Sequence, residues 1–229
     1  MELEFTLAVL LVALPGNAMP RRGVGGSPVL LNHRAATRLL VRQIIPDYPP
    51  VARINYIQGP VDLRVVVTSK GNVGAIHVLR GEALLAAAAL RAVRLWHYRP
   101  YVGSRGPVSF ETRVRVKFAL RVRRLARLPL HPAKYLARQV RPPQIIGAPA
   151  DRLGKHSVRM RVLVGEHGNI LDAEPISRGS GEAAPALRGW KFLPAHWGTL
   201  AIPWYLDVSV PVASSAADAD PGPPQGDKK

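Results

Sequence analysis

The chain has 229 residues, 47% of them hydrophobic, a formal net charge of +17 and no cysteine. That length leaves room for two small cores and little else, and the missing thiols exclude disulfides and thiolate chemistry. The cationic excess suits a polyanionic partner surface, which keeps nucleic acid, anionic lipid, lipopolysaccharide and an acidic protein segment open.

Phe5 to Leu14 is an apolar run followed by Pro15-Gly16-Asn17-Ala18, with small residues placed for cleavage after Ala18, so residues 1–18 read as a secretory signal. Glu2 and Glu4 stand where such a signal is normally basic. The run is also shorter than the roughly 20 residues that cross a bilayer. Residues 19–36 read as a flexible leader. Its Gly23-Val24-Gly25-Gly26 follows no strand and lacks a third phosphate-loop glycine, so it is not a nucleotide cradle.

A first module is expected over residues 37–120. Ile44-Ile45 reads as a short extended piece, and Pro49-Pro50 as the start of a turn or helix leading to Gly59. Val61, Leu63, Val65 and Val67 alternate with Asp62, Arg64 and Thr68, the period-2 pattern of a strand with one buried face. Lys70-Gly71-Asn72 turns the chain into a hairpin partner at 73–79, where Ile76 and Val78 fall out of phase with Val73 and leave the register open. From Glu82 the period becomes helical: Leu84, Leu85, Ala88, Ala89, Ala92, Val93 and Trp96 form one stripe, with Glu82, Arg91 and Arg94 off it. Pro100 ends the segment. In the last strand Val108, Phe110, Thr112, Val114, Val116 and Phe118 face one way while Ser109, Glu111, Arg113, Arg115 and Lys117 face the other. The fold class is therefore α+β, with order strand, strand, helix, strand.

Residues 121–141 read as a basic linker, with Arg121, Arg123, Arg124 and Arg127 its strongest cluster and candidates for steering a polyanion. Beyond it the chain nearly repeats itself. Val61 to Val73, with its Gly71-Asn72, returns as Val158 to Ile170 with Gly168-Asn169, and Trp96-His97-Tyr98-Arg99-Pro100 returns as Trp190-Lys191-Phe192-Leu193-Pro194. Two such periods point to a duplicated module, so residues 142–212 read as a second, degenerate copy. Its helix is shorter and holds Pro185 and Gly189. Trp204 falls in phase with Ile202, Leu206, Val208 and Val210 and is expected inward, whereas Trp197 is expected in a loop. Residues 213–229 are small, polar and proline-rich, a disordered tail in prospect.

The ordered series Tyr48-Pro49, Ala52-Arg53, Gln58-Gly59-Pro60-Val61, Gly71-Asn72-Val73, Gly81, Leu84-Leu85, Ala88-Ala89, Ala92-Val93, Trp96 and Tyr98-Arg99-Pro100, closed by a basic-apolar strand, resembles the C-terminal domain of TonB energy transducers. Tyr48, Pro49, Gly59, Gly71, Trp96 and Pro100 carry the motif. The resemblance implies a non-catalytic protein of the periplasm that binds a short extended segment of an outer-membrane transporter by adding a strand to its sheet, in the service of energy-coupled transport. On that reading the partner-binding strand is Val108, Ser109, Phe110, Glu111, Thr112, Arg113, Val114, Arg115, Val116, Lys117 and Phe118. Without a partner the same strand is a free edge kept soluble by Arg113, Arg115 and Lys117. The exposed edges also leave a homodimer through strand exchange open. A periplasmic or secreted location is expected, or inner-membrane association where an anchor precedes the recorded start.

Other chemistries find less support. A basic nucleic-acid-binding protein is the alternative, but no helix-turn-helix, zinc-finger or stacking-aromatic motif selects nucleic acid. The basic residues also gather unevenly: residues 31–120 hold 14 basic and 4 acidic side chains, residues 121–156 hold 9 and 1, and residues 157–212 hold 5 of each. The histidines at 33, 77, 97, 131, 156, 167 and 196 include no pair at i, i+4 and no carboxylate at metal-ligand spacing. Gly103-Ser104-Arg105-Gly106 and Gly179-Ser180-Gly181 lack the Gly-x-Ser-x-Gly form of a nucleophile elbow. No catalytic residue, cofactor or metal site is expected.

Overall fold

A computed structural model describes residues 27–120, 132–148, 156–176, 187 and 189–212. The expected signal, Arg121, Arg123, Arg124 and Arg127, most of the second-unit helix and the tail lie outside the described residues.

In chain order the first unit consists of β1 (Val29–Leu30), α1 (His33–Leu39), β2 (Leu40–Arg42), α2 (Pro50–Ile54), β3 (Gly59–Val67), β4 (Val73–Arg80), α3 (Ala83–Val93), β5 (His97–Tyr98), β6 (Tyr101–Gly103), β7 (Gly106–Val108) and β8 (Phe110–Phe118). The architecture is α+β, as expected. Its main sheet has the order β1-β8-β3-β4. β3 and β8 pair antiparallel without a break from Gly59 opposite Phe118 to Val67 opposite Phe110. The β3–β4 ladder shifts between Asp62 and Leu63 and again between Val66 and Val67. The shift between Val66 and Val67, which leaves Gly74 as the extra residue, explains why Ile76 and Val78 are out of phase with Val73, because an extra residue on one strand moves the next side chain to the other face.

Three boundaries of the first unit differ from the expectation, and within the stretch 121–141 read as linker Pro132–Ala137 is helical and Val140–Arg141 a paired strand. Val29–Leu30 and the start of α1 fall in the stretch read as flexible leader, and α1 is capped by Asn32, whose side chain accepts from Ala35 N–H at 2.9 Å. Val108 belongs to a separate hairpin, opposite Tyr101, so the long strand begins at Phe110. The extended piece that pairs is β2, set against β5, rather than Ile44-Ile45.

Helix α3 departs most from the sequence reading. An amphipathic helix with one wet face was expected, yet Ala83, Ala86, Ala87 and Leu90 are buried along with the predicted stripe, and Arg91 alone among its residues is exposed. The second unit supplies the missing cover. It contains α4 (Pro132–Ala137), β9 (Val140–Arg141), β10 (Gln144–Gly147), β11 (His156–Val164), β12 (Ile170–Pro175), β13 (Lys191–Leu193), β14 (Ala195–Trp197), β15 (Leu200–Ile202) and β16 (Trp204–Val212). Leu136, Leu163, Ala195 and Ile202 enter the same core as α3, with Trp197, Trp204 and Tyr205 packed against it. A smaller core holds Met160, Val162, Val164, Leu187, Phe192, Val208 and Val210. β11 therefore faces a core on both sides, Leu163 toward the first and its even-numbered neighbours toward the second.

The hairpin turns of the two units match bond for bond. Thr68 N–H donates to Asn72 O at 2.8 Å and Gly71 N–H to Thr68 O at 2.9 Å; Gly165 N–H donates to Asn169 O at 2.7 Å and Gly168 N–H to Gly165 O at 3.0 Å. Gly71 and Gly168 both have positive φ, 85° and 76°. A Cβ on Gly71 would lie 1.9 Å from the Tyr98 carbonyl oxygen, and one on Gly168 2.2 Å from that of Phe192. In the main ladders β11 pairs with β12 and β16 as β3 pairs with β4 and β8.

The tryptophans diverge. Trp96 is 2% exposed and its Nε1–H donates to Ile44 O at 2.8 Å, sealing the helix end. Trp190 is only half-buried and stacks on Phe192 at 6.2 Å. Trp204 is partly buried and packs on the main core, whereas Trp197, expected in a loop, sits in β14 and donates to Gln139 Oε1 at 3.1 Å. Among the described residues no helix is long and apolar enough to cross a membrane.

Candidate functional site

The motif residues build the frame behind β8 rather than a pocket. Tyr48 is buried, donates its hydroxyl to Ile57 O at 2.6 Å and meets the Phe118 ring edge-on at 5.5 Å; burial pushes its phenol up to about 12. Pro49 stands at the cap of α2, with Pro50 fixing its first turn. Gly59 opens β3 at φ 142°, and Gly71 closes the hairpin against β5, taking Tyr98 N–H on its own carbonyl at 2.8 Å. Trp96 seals the helix end, and Pro100 falls between β5 and β6.

β8 carries core and edge on alternate residues. Phe110, Thr112, Val114, Val116 and Phe118 are buried, while Glu111 and Arg115 are half-buried and Arg113 and Lys117 exposed. The carbonyls of Ser109 and Glu111 face away from β3, since they accept from Val29 N–H at 2.9 Å and Leu31 N–H at 2.8 Å. Backbone groups of alternate residues point to the same side of a strand, so those of Arg113, Arg115 and Lys117 also face that outer edge. Among the described residues no strand pairs with Thr112–Phe118 there; β1 takes only Phe110 and Glu111. The expected edge thus lacks a strand partner over most of its length, with β1 paired at its start and α1 packed beside the strand.

Its charge is less free than the sequence suggested. Arg115 holds Asp62 through two bonds, its Nη2 at 2.9 Å from Oδ2. That leaves Arg113 and Lys117 as the exposed cations of the strand.

β16 ends the other sheet, whose order is β12-β11-β16. The Arg159 carbonyl accepts from Ile176 N–H at 2.8 Å and so faces away from β16; Ser209, opposite it, turns its backbone outward, and Pro211 two residues on does the same. The missing proline N–H therefore falls on the outer side of β16, where it blunts that edge against a further strand. Pro203 lies just before β16.

One cluster joins the units and could not be read from spacing. His77 on β4 lies 3.3 Å from Asp172 and 3.1 Å from Glu174, both on β12, although some 95 residues separate it from the first. Asp172 also accepts Val78 N–H at 2.7 Å, and Arg64 Nη2 lies 3.0 Å from Glu174 Oε1. The ligating atoms of the three titratable residues lie within 4.8 Å of one another. Arg64 holds the same Glu174 oxygen that His77 approaches, so the set reads as an ion-pair joint rather than a cation site.

The hydrogen bond to Asp172 raises the His77 pKa above its ordinary 6.5, against the opposing pull of burial. A raised value in the folded state means that protonation favours folding. Its contribution is fully present below about pH 6.5 and is lost as pH rises through the raised value. His77→Gln should therefore cost stability at acid pH and progressively less as pH rises, in thermal denaturation from about pH 5 to about pH 9. A difference independent of pH would remove the histidine from the joint's energetics.

Residues 45–120 match the family model of the Gram-negative bacterial TonB protein C-terminal. The first unit is a TonB C-terminal domain. The chain is 28% identical over 101 residues to Protein TonB of Vibrio cholerae serotype O1, a match covering 43% of this chain and 40% of that protein. The chain thus spans less than half the length of this relative. The solution NMR structure of the Pseudomonas aeruginosa TonB CTD is 25% identical, covering 37% of this chain and 88% of that one, with a TM-score of 0.33.

Proposed function

We propose that this chain is a non-catalytic, TonB-type protein of the periplasm, whose first unit binds an extended segment of an outer-membrane transporter by strand addition at β8, serving energy-coupled transport. The observation that carries this reading is the outer edge of β8. Arg113, Arg115 and Lys117 turn their main-chain groups to a side where no described strand pairs with them. In this mode the main chain supplies affinity and side chains tune choice. Exposed Arg113 and Lys117 favour a segment with acidic side chains. Arg121, Arg123, Arg124 and Arg127 would steer that segment by long-range attraction; association that ignores salt would deny them the role.

Residues 142–212 are, on this reading, a degenerate second copy that covers α3 and the β4 edge and binds no peptide. The matched turn bonds and ladders support the duplication, and the outward Pro211 supports the loss of binding.

Titrating the isotope-labelled chain with a synthetic transporter-derived peptide tests the site. Amide shifts should be largest at Arg113, Arg115 and Lys117. Shifts centred on β16, or on the joint between units, would place the contact elsewhere.

A further inference from the structure

We propose that Val29–Leu39 is a resident strap which holds the β8 edge closed, and that a partner strand must displace it to bind. The inference rests on β8 being the receptor edge and adds how access to it is controlled.

β1 is itself an added strand. It runs parallel to β8, with Val29 opposite Phe110 and Leu30 opposite Glu111, and its Val29 and Leu31 N–H groups take the outer carbonyls of Ser109 and Glu111. An incoming strand that extends along Arg113, Arg115 and Lys117 through the start of β8 needs those same carbonyls. The Asn32 cap then turns the chain into α1, which packs beside β8, and Leu31 and Ala36 anchor the strap at 8% and 3% exposure.

The same geometry makes the β1 end of the strap the releasable part. It contributes two paired residues, whereas β3 holds the other side of β8 over nine. Leu31 and Ala36 reach the core, but Leu30 between them and the ladder's start is 40% exposed. A two-residue pairing opens at lower cost than the nine-residue ladder beneath it. The displacing partner is an extended segment that supplies more main-chain bonds than β1 and places acidic side chains beside Arg113 and Lys117.

The chain has no cysteine, so Leu30→Cys with Glu111→Cys puts a single cross-linkable pair at opposed positions of the β1–β8 ladder. The probe is a fluorescein-labelled synthetic peptide copying the extended N-terminal segment of an outer-membrane transporter. The reduced double variant should bind it at least about tenfold more tightly than the same protein oxidised, a difference equivalent to about 1.4 kcal/mol. In a second variant, Val29→Pro, one strap donor is lost, and association should be several-fold faster than for the unaltered chain. Equal binding in both redox states overturns the strap and leaves β8 as a receptor edge. Absence of binding by the unaltered chain, the reduced variant and Val29→Pro alike sinks the receptor reading itself, and the strap with it.

Discussion

Replacing Trp96 with alanine should lower the unfolding free energy by about 3 to 5 kcal/mol, the cost of truncating a large core side chain. The ring is 2% exposed, and its loss also strips the Ile44 carbonyl of its donor. That carbonyl belongs to the stretch between β2 and α2, so the damage should spread from the helix end to the entry of the unit. Arg94→Ala is the control: its side chain is exposed at the C-cap of α3, and surface changes of this kind stay within about 0.5 kcal/mol. Equal shifts of the two variants in chemical denaturation would mean that the phase of α3 is misassigned.

Gly71→Ala should be comparably severe for a different reason. The backbone there is left-handed, at φ 85°, which costs a non-glycine residue about 1 kcal/mol. The added methyl would in addition sit 1.9 Å from the Tyr98 carbonyl oxygen, closer than any real contact. Relief requires the turn to leave β5, breaking the Tyr98 N–H to Gly71 O bond of 2.8 Å. A total of about 3 kcal/mol or more is expected. Gly106→Ala separates the two causes, because Gly106 has φ 114° but nothing within 4 Å of a built Cβ; it should lose only the conformational part. Gly168→Ala carries the argument to the second unit, where the Phe192 carbonyl stands in the same relation at 2.2 Å. Were Gly168→Ala no worse than Gly106→Ala in thermal denaturation, the matched turns would not share their packing, and the duplication would lose its main support.

The main strands were legible in the sequence because each has one face in a core. Phe110 to Phe118 alternates without interruption and Val61 to Val67 does so but for Val66, and the pattern fixes both element type and buried face. Short elements were not. β1 is two residues long and too brief for any period to register, so its pairing with β8 was invisible. The full burial of α3 was hidden because periodicity reports the charge pattern of a helix, and alanine tolerates solvent and core alike. It took the second unit's Leu163, Ala195 and Ile202 to cover the residues off the stripe. The His77 joint escaped because its partners lie on β12 of the other unit, and spacing rules see only residues close in the chain. Backbone direction was hidden too, because side-chain alternation does not say which residues donate outward: even-numbered residues of β8 turn their main-chain groups to β3, so the outer ladder belongs to the basic, odd-numbered ones.

That parity decides how the central claim is best tested. Arg113→Pro removes an outward N–H from an exposed position of β8 and leaves the β3 ladder its donors. Ser209→Pro makes the equivalent change on the outer side of β16. Binding of a transporter-derived extended peptide should be measured for both variants, once circular dichroism shows each to be folded. The account predicts that Arg113→Pro weakens binding by at least about tenfold while Ser209→Pro leaves it unchanged. Loss of binding through Ser209→Pro, with Arg113→Pro unaffected, would contradict it.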